Sequence, residues 1–213
     1  MIGEHQLFQH HKDKMKFSHL AIVLSSLVIS FDKPQIPTAF QEDFAGHHAL
    51  SKAVFEAGYA CIARDIKMSK HLDIASGTGF MAILQGLRSL AICGLAWLAI
   101  PCSSWIFLSR GSTKRSRLRP KGKRAYKKVR LANKIARRVV YLCHYIEKKG
   151  AYWCIENPTS SIIHMYRPMR ELLDRPEIKE IRVNLGQFGA PSMNHVGINI
   201  WLVFQFNQFL RWC

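Results

Sequence analysis

Two short stretches of this chain combine an aspartate with glycine in the way a phosphate- or nucleoside-binding turn does. One is Asp43-Phe-Ala-Gly46 and the other is His71-Leu-Asp-Ile-Ala-Ser-Gly-Thr-Gly-Phe80. In such a turn an acid closes a strand, and glycine lets backbone N–H groups approach a ligand at the start of a helix. A nucleoside cofactor also needs a second acid about 20 residues on, at the end of the next strand, to accept the ribose hydroxyls. Asp43 meets that condition, with Asp65 standing 22 residues later. The second stretch does not, because no acid occurs between Asp73 and Glu147, and the residues before it, Lys67-Met-Ser-Lys70, are too polar for a strand. The cofactor is therefore expected at Asp43, Phe44, Ala45, Gly46 and Asp65. Asp73 either adds a hydrogen bond to an adenine amino group from the same edge or caps the helix beginning near Ser76.

A third chemical feature is a thiol. Of the six cysteines, Cys61, Cys93, Cys102, Cys143, Cys154 and Cys213, none forms a CxxC pair or a zinc-type Cys/His spacing. All six read as thiols of a reducing compartment, nuclear or cytoplasmic. Four lie in apolar runs, where cysteine acts as a small hydrophobe. Cys102 instead follows Pro101 at the end of an apolar run and precedes a dense basic segment.

These residues must be positioned by an α/β scaffold. Short apolar runs alternate with segments of helical period, the pattern of βαβ units around a parallel sheet. Strands are expected at 38–42, 59–64, 95–100, 152–155, 181–185 and 198–204. Helices are expected over 49–57, over 80–92, from Val129 to Ile146, and in a shorter segment after Pro158. The length suits one domain over 38–213, preceded by an N-terminal extension, 1–37. Within that extension Leu20–Phe31 is a twelve-residue apolar run behind Lys12, Lys14 and Lys16. It is too short to span a bilayer; it reads as a buried element, with organelle or secretory targeting as the other use.

Thirty-one Lys and Arg against fourteen Asp and Glu give a net charge of +17. That balance points to a polyanionic partner, nucleic acid before a membrane surface. The charge is concentrated. From Arg110 to Arg138 there are fourteen Lys or Arg and no acid. Ser104, Arg110, Lys114, Arg115, Arg117, Arg119, Lys121, Lys123 and Arg124 are the candidate phosphate contacts, with a solvated loop or a localisation signal as the simpler reading.

The order Asp43-Phe-Ala-Gly46, Pro101-Cys-Ser103, Glu156-Asn-Pro158 and Phe188-Gly-Ala-Pro191 resembles the carbon-5 cytosine DNA methyltransferases, in a divergent and minimal form, over about residues 38–204. The resemblance implies a Rossmann-like methyltransferase fold, with a mostly parallel sheet and helices on both faces. S-adenosyl-L-methionine is the implied cofactor, with Pro101 adding to its site. Cys102 is implied as the nucleophile that adds to carbon-6 of cytosine, and Glu156 as the group that holds N3. The basic segment would be the mobile loop that closes over a flipped base. Three departures stand against this. Ser192-Met-Asn-His-Val196 lacks the family's arginines, leaving Asn194 or His195 as substitutes. The 213 residues are expected to leave no room for a target-recognition domain, so selectivity would need a separate partner. Pro158 replaces an apolar residue, and His47 and His48 follow the glycine turn where small residues are usual. A non-catalytic nucleic-acid-binding module and an RNA methyltransferase are the alternative readings.

Overall fold

The computed structural model describes residues 36–184 and 197–203, and the compact unit that carries the sheet begins at Pro37. Leu20–Phe31 and Ser192–Val196, including Asn194 and His195, lie outside the described residues. The chain runs β1 (Thr38–Asp43), α1 (Ala49–Glu56), β2 (Cys61–Arg64), α2 (Gly77–Ser89), β3 (Leu90–Ala99), α3 (Lys127–Lys148), β4 (Tyr152–Pro158), α4 (Arg167–Leu173), β5 (Ile178–Asn184) and β6 (Gly197–Val203). Single helical turns stand at Lys70–Leu72, Phe107–Ser109, Arg110–Thr113 and Ile163–Met165.

The six strands form one sheet in the order β2-β1-β3-β4-β6-β5. β2, β1, β3 and β4 are parallel, whereas β6 runs against both β4 and β5. The sheet is thus mostly parallel but mixed. The strand order reverses at β1, whose two neighbours are β2 and β3. In an open α/β sheet that reversal opens a crevice outside the carboxyl ends of the strands.

Register assigns the faces. Asp43 lies opposite Leu98, and Leu98 opposite Ile155, so these three share one face. α3 covers that face, as Trp153, two residues before Ile155, donates its indole N–H to Glu147 at 2.8 Å. Ile83 and Leu87 of α2, Val139, Leu142 and Ile146 of α3, and Met169 and Leu172 of α4 form one buried cluster with Leu98 and Ile155. Each such side chain contributes about 1.5–3 kcal/mol by leaving water. Glu42, opposite Trp97, points to the other face. There it accepts the N–H and hydroxyl of Ser51 from α1 at 2.8 and 2.6 Å. Helices therefore pack on both faces.

Three of the element boundaries that differ from the sequence expectation bear on the site, the first through a local cap and the other two through long-range pairing. α2 begins at Gly77, three residues before the apolar period, because Ser76 caps it by accepting the Gly79 N–H at 2.9 Å. The run Leu90-Ala-Ile92, expected as the end of that helix, instead pairs as strand. β3 bulges after Leu90, where Cys93 has φ 63° and its N–H bonds the Gly150 carbonyl at 2.9 Å. β4 extends through Pro158 rather than stopping at Ile155, because β6 pairs with it from Cys154 to Pro158. Glu156 and Asn157 consequently sit inside the ladder. α3 follows its period, with Val129, Ala136, Val139, Cys143 and Ile146 buried. Gly150 (φ 73°) stops it. No helix among the described residues is long and apolar enough to cross a membrane.

Candidate functional site

Parallel strands bring several loops to one edge. β1, β3 and β4 end there, at Asp43, Ala99 and Pro158, and β6 starts there, since Pro158 pairs with Ile198. α3 carries the chain from the end of β3 back to the start of β4, so the basic segment before it also lies at this edge.

The turn after β1 is unusual in its backbone. Phe44, Gly46 and His48 have φ of 63°, 55° and 47°. Positive φ is strained at a bulky residue such as Phe44, and strain of this kind collects at ligand-holding loops. The loop is tied to β2 by the Ala45 N–H on the Arg64 carbonyl at 3.0 Å. The Gly46 N–H on the Asp65 carboxylate, also at 3.0 Å, makes a second tie. The spacing of Asp43 and Asp65 thus corresponds to real proximity. Asp43 is fully buried. Its Oδ2 accepts the Gln41 amide at 2.7 Å, and its Oδ1 has no partner. Burial pushes the Asp43 carboxyl up to about 7, against the lowering effects of Gln41 and of Arg64 nearby. Arg64 is itself held below its ordinary value by burial. His47 and His48 are exposed, so they do not fill the loop.

Cys102 is half-buried and free. Its carbonyl accepts the N–H groups of Trp105 and Ile106 at 2.7 and 3.2 Å, which makes it the first residue of a tight turn. Pro101 beside it is exposed. On the neighbouring strand Glu156 lies opposite Ala99 and accepts the Trp97 indole N–H at 2.9 Å. Asn157 points to the other face, where its amide donates to the Ile100 carbonyl at 2.8 Å and pins the backbone two residues before Cys102. Among the described residues the free cysteines are Cys61, Cys102, Cys143 and Cys154. The expectation of six thiols is corrected at Cys93, which is disulfide-bonded. Burial pushes the Cys154 thiol up to about 12 and also raises Cys143 well above its ordinary value, so these two are inert core groups.

The basic segment divides into two populations. Lys114, Arg117, Arg119, Lys121, Lys123 and Arg124 are exposed, and Arg110 is half-buried with its guanidinium 4.6 Å from the Phe107 ring. Ser104 and Arg115, expected among the phosphate contacts, turn inward instead and are almost wholly buried. The Arg115 guanidinium stacks 3.5 Å over the Trp105 ring. It donates to Ser104 Oγ at 3.2 and 3.1 Å, to Asn133 Oδ1 at 3.0 Å and to the Pro120 carbonyl. Its burial lowers it to about 10. Trp105 also packs against Tyr166, their ring centroids being 5.4 Å apart. Arg115 thereby fastens residues 113–123 to the turn that starts at Cys102. Gly122 (φ 65°) is part of the fastening, since a Cβ there would press on Arg115 and the Thr113 carbonyl.

The stretch 71–80 is scaffolding. The Asp73 carboxylate accepts the Ala75 N–H at 2.8 Å, and its carbonyl accepts the Ser76 N–H and hydroxyl, each at 2.8 Å. Arg138 donates to the carbonyls of Ile74 and Ser76 and lies 4.7 Å over the Phe80 ring. The residues before the stretch form no strand.

Sequence reasoning missed three positioning residues: Trp97, which holds Glu156; Asn157, which pins the turn before Cys102; and Asn133, which anchors Arg115. Asn157 stands within the Glu-Asn-Pro stretch, but no local pattern marks the other two. No group of His, Cys, Asp or Glu among the described residues is arranged to hold a metal ion. Fold and site together define an α/β protein with a free, half-buried thiol in the turn after β3, at the carboxyl edge of a mixed sheet. No family model matches the chain, and no curated protein is similar to it.

Proposed function

We propose that the protein is an S-adenosylmethionine-dependent enzyme that methylates carbon-5 of cytosine in nucleic acid, with DNA as the preferred substrate, on a Rossmann-like methyltransferase fold. The observation that carries this reading is convergence. The tied loop Asp43–Gly46 with Asp65, the turn beginning at Cys102 and the end of β4 with Glu156 all sit at the carboxyl edge, on strands that are direct neighbours.

The residues at the first loop fit a nucleoside cofactor. Asp43 Oδ1 is an unspent polar atom, and a Cβ built at Gly46 would meet nothing within 4 Å. Asp43, Phe44, Ala45, Gly46 and Asp65 would hold it. When bound, S-adenosylmethionine supplies an electrophilic methyl group. The chain's own work is to make carbon-5 nucleophilic. The Cys102 thiolate forms a bond to carbon-6 with its lone pair, and the ring π pair moves toward carbon-5. Glu156, already oriented by Trp97, would hold N3 by donating the proton of its carboxyl group to it and so offset the negative charge that develops on the ring. After methylation a solvent hydroxide takes the carbon-5 proton, the electron pair of that bond restores the carbon-5–carbon-6 double bond, and the sulfur–carbon bond breaks to regenerate the thiolate. The exposed cations from Lys114 to Arg124 neutralise the phosphates of a strand drawn to this edge.

The test is trapping on DNA containing 5-fluorocytosine, whose fluorine cannot leave as the carbon-5 proton does. A cofactor-dependent covalent adduct that disappears in Cys102→Ser supports the reading; an adduct that survives the substitution, or none on any substrate, overturns it. RNA containing 5-fluorocytosine distinguishes an RNA methyltransferase. One observation favours the second reading, a binding module without turnover. Both Asp65 oxygens already accept backbone N–H groups, from Gly46 and from Lys67 at 2.7 Å. Calorimetry with S-adenosylmethionine separates the two, since the module binds nucleic acid and no cofactor.

A further inference from the structure

Away from the Cys102 turn, a cavity of about 340 Å³ opens between the β5–β6 hairpin and the turn Ile163–Met165. Register builds its floor. Arg182 lies opposite Asn199 and Glu180 opposite Trp201, so these four side chains leave the same face of the sheet. His164 stands beside them, its ring 6.3 Å from that of Trp201, and Arg117 enters from the basic segment.

Two polar atoms here are unspent. Asn199 is 4% exposed, yet its Oδ1 has no hydrogen bond, and neither has His164 Nδ1. A buried amide oxygen without a partner is costly, and this one borders a cavity. Charge is graded along the floor: Arg182 accompanies Asn199 toward the carboxyl edge and Glu180 lies one pair deeper, while Arg117 and Asp174 also line the cavity. Glu180 and Arg182 also meet each other at 3.4 Å, but both are solvated enough for that pair to yield.

The geometry points to a site for one nucleoside monophosphate unit. The phosphate lies against Arg117 and Arg182, and the base edge meets the Asn199 amide, which donates and accepts. The base ring rests by the His164–Trp201 wall. The volume is near the lower end for ligand sites, about 300 to 1,000 Å³, which suits one nucleotide and not a longer segment. The unit is either a free nucleotide or one unstacked nucleotide of a strand crossing the basic edge; the second source rests on the proposed function.

The test is calorimetric titration of the full chain with AMP, GMP, CMP and UMP, repeated on Arg117→Ala and Asn199→Leu, with folding checked by circular dichroism. The expected result is binding of at least one nucleotide, weakened about tenfold by Arg117→Ala because one charge-assisted hydrogen bond to the phosphate is removed. Asn199→Leu should abolish the preference among bases. Competition by a short single-stranded oligonucleotide identifies a strand as the source, and its absence a free nucleotide. No nucleotide binding while the oligonucleotide still binds at low salt overturns the site and leaves the basic edge standing. Nucleotide binding that neither substitution changes also overturns it. Nucleotide binding without oligonucleotide binding keeps the site and removes the strand reading.

Discussion

The two aspartate–glycine loops look alike in sequence and differ in how they use their polar groups. The loop 73–79 spends nearly everything on itself: the Asp73 carboxylate on Ala75, the Ser76 hydroxyl on Gly79, and the carbonyls of Ile74 and Ser76 on Arg138. Gly79 is there because a Cβ would overlap the Asp73 backbone. The loop 43–48 keeps Asp43 Oδ1 unspent, holds three residues at positive φ and leaves open space at Gly46. A loop that satisfies itself is scaffolding; unspent groups and strain mark a place built for something else.

The largest effect that would break or sharpen this contrast comes from the glycines. Gly79→Ala should cost at least about 3 kcal/mol in denaturant unfolding, because backbone on both sides must move. Gly46→Ala should cost only about 1–2 kcal/mol, the strain of a left-handed conformation. Equal losses would remove the distinction between the loops.

The contrast between spent and unspent groups extends to the basic segment. Arg115→Ala removes the charged donor shared by Ser104, Asn133 and Pro120 and should cost about 3 kcal/mol, with new proteolytic cleavage between residues 113 and 126. Retained protection there would mean that the fastening lies elsewhere.

Asp43 sharpens the comparison through pH. Its folded pKa is raised from 3.8 to about 7, so between those values the native state keeps a proton that the unfolded chain has released. Stability should therefore fall as pH rises from about 4 to 7, by a few kcal/mol at most. Asp43→Asn should flatten that decline in urea titrations across the same window. A decline unchanged in the variant would show that another group causes it.

Ser76→Ala should cost about 1 kcal/mol by removing the cap of α2. The smallest effect on stability is expected from replacing Lys121, Lys123 and Arg124 together by Gln. The melting temperature should hold, while the slope of log affinity for duplex DNA against log salt should fall by about 0.9 for each phosphate no longer neutralised. An unaltered slope would assign phosphate binding to other cations.

Much of the scaffold was legible in the sequence because its signals are local. The 3.6-residue period of α3, the break at Gly150 and the apolar runs of β1, β3 and β4 each encode their own segment. The 22-residue interval between Asp43 and Asp65 located a loop that the structure ties together at Gly46. The poor strand before Asp73 already argued against the second loop. Other features had no local signature. Residues 90–92 read as helix and form strand, because a short apolar run suits either. Arg115 looked like its thirteen basic neighbours, since burial depends on Trp105 and Asn133, which the fold brings to it. The reversal of β6, the hold of Trp97 on Glu156 across 59 residues and the cavity at Asn199 were likewise beyond reach. Periodicity and spacing determine which segments become strands, helices and turns, because those depend on near neighbours. Which charges are buried and which strands lie side by side is decided only by tertiary contacts, because it depends on partners distant in the chain.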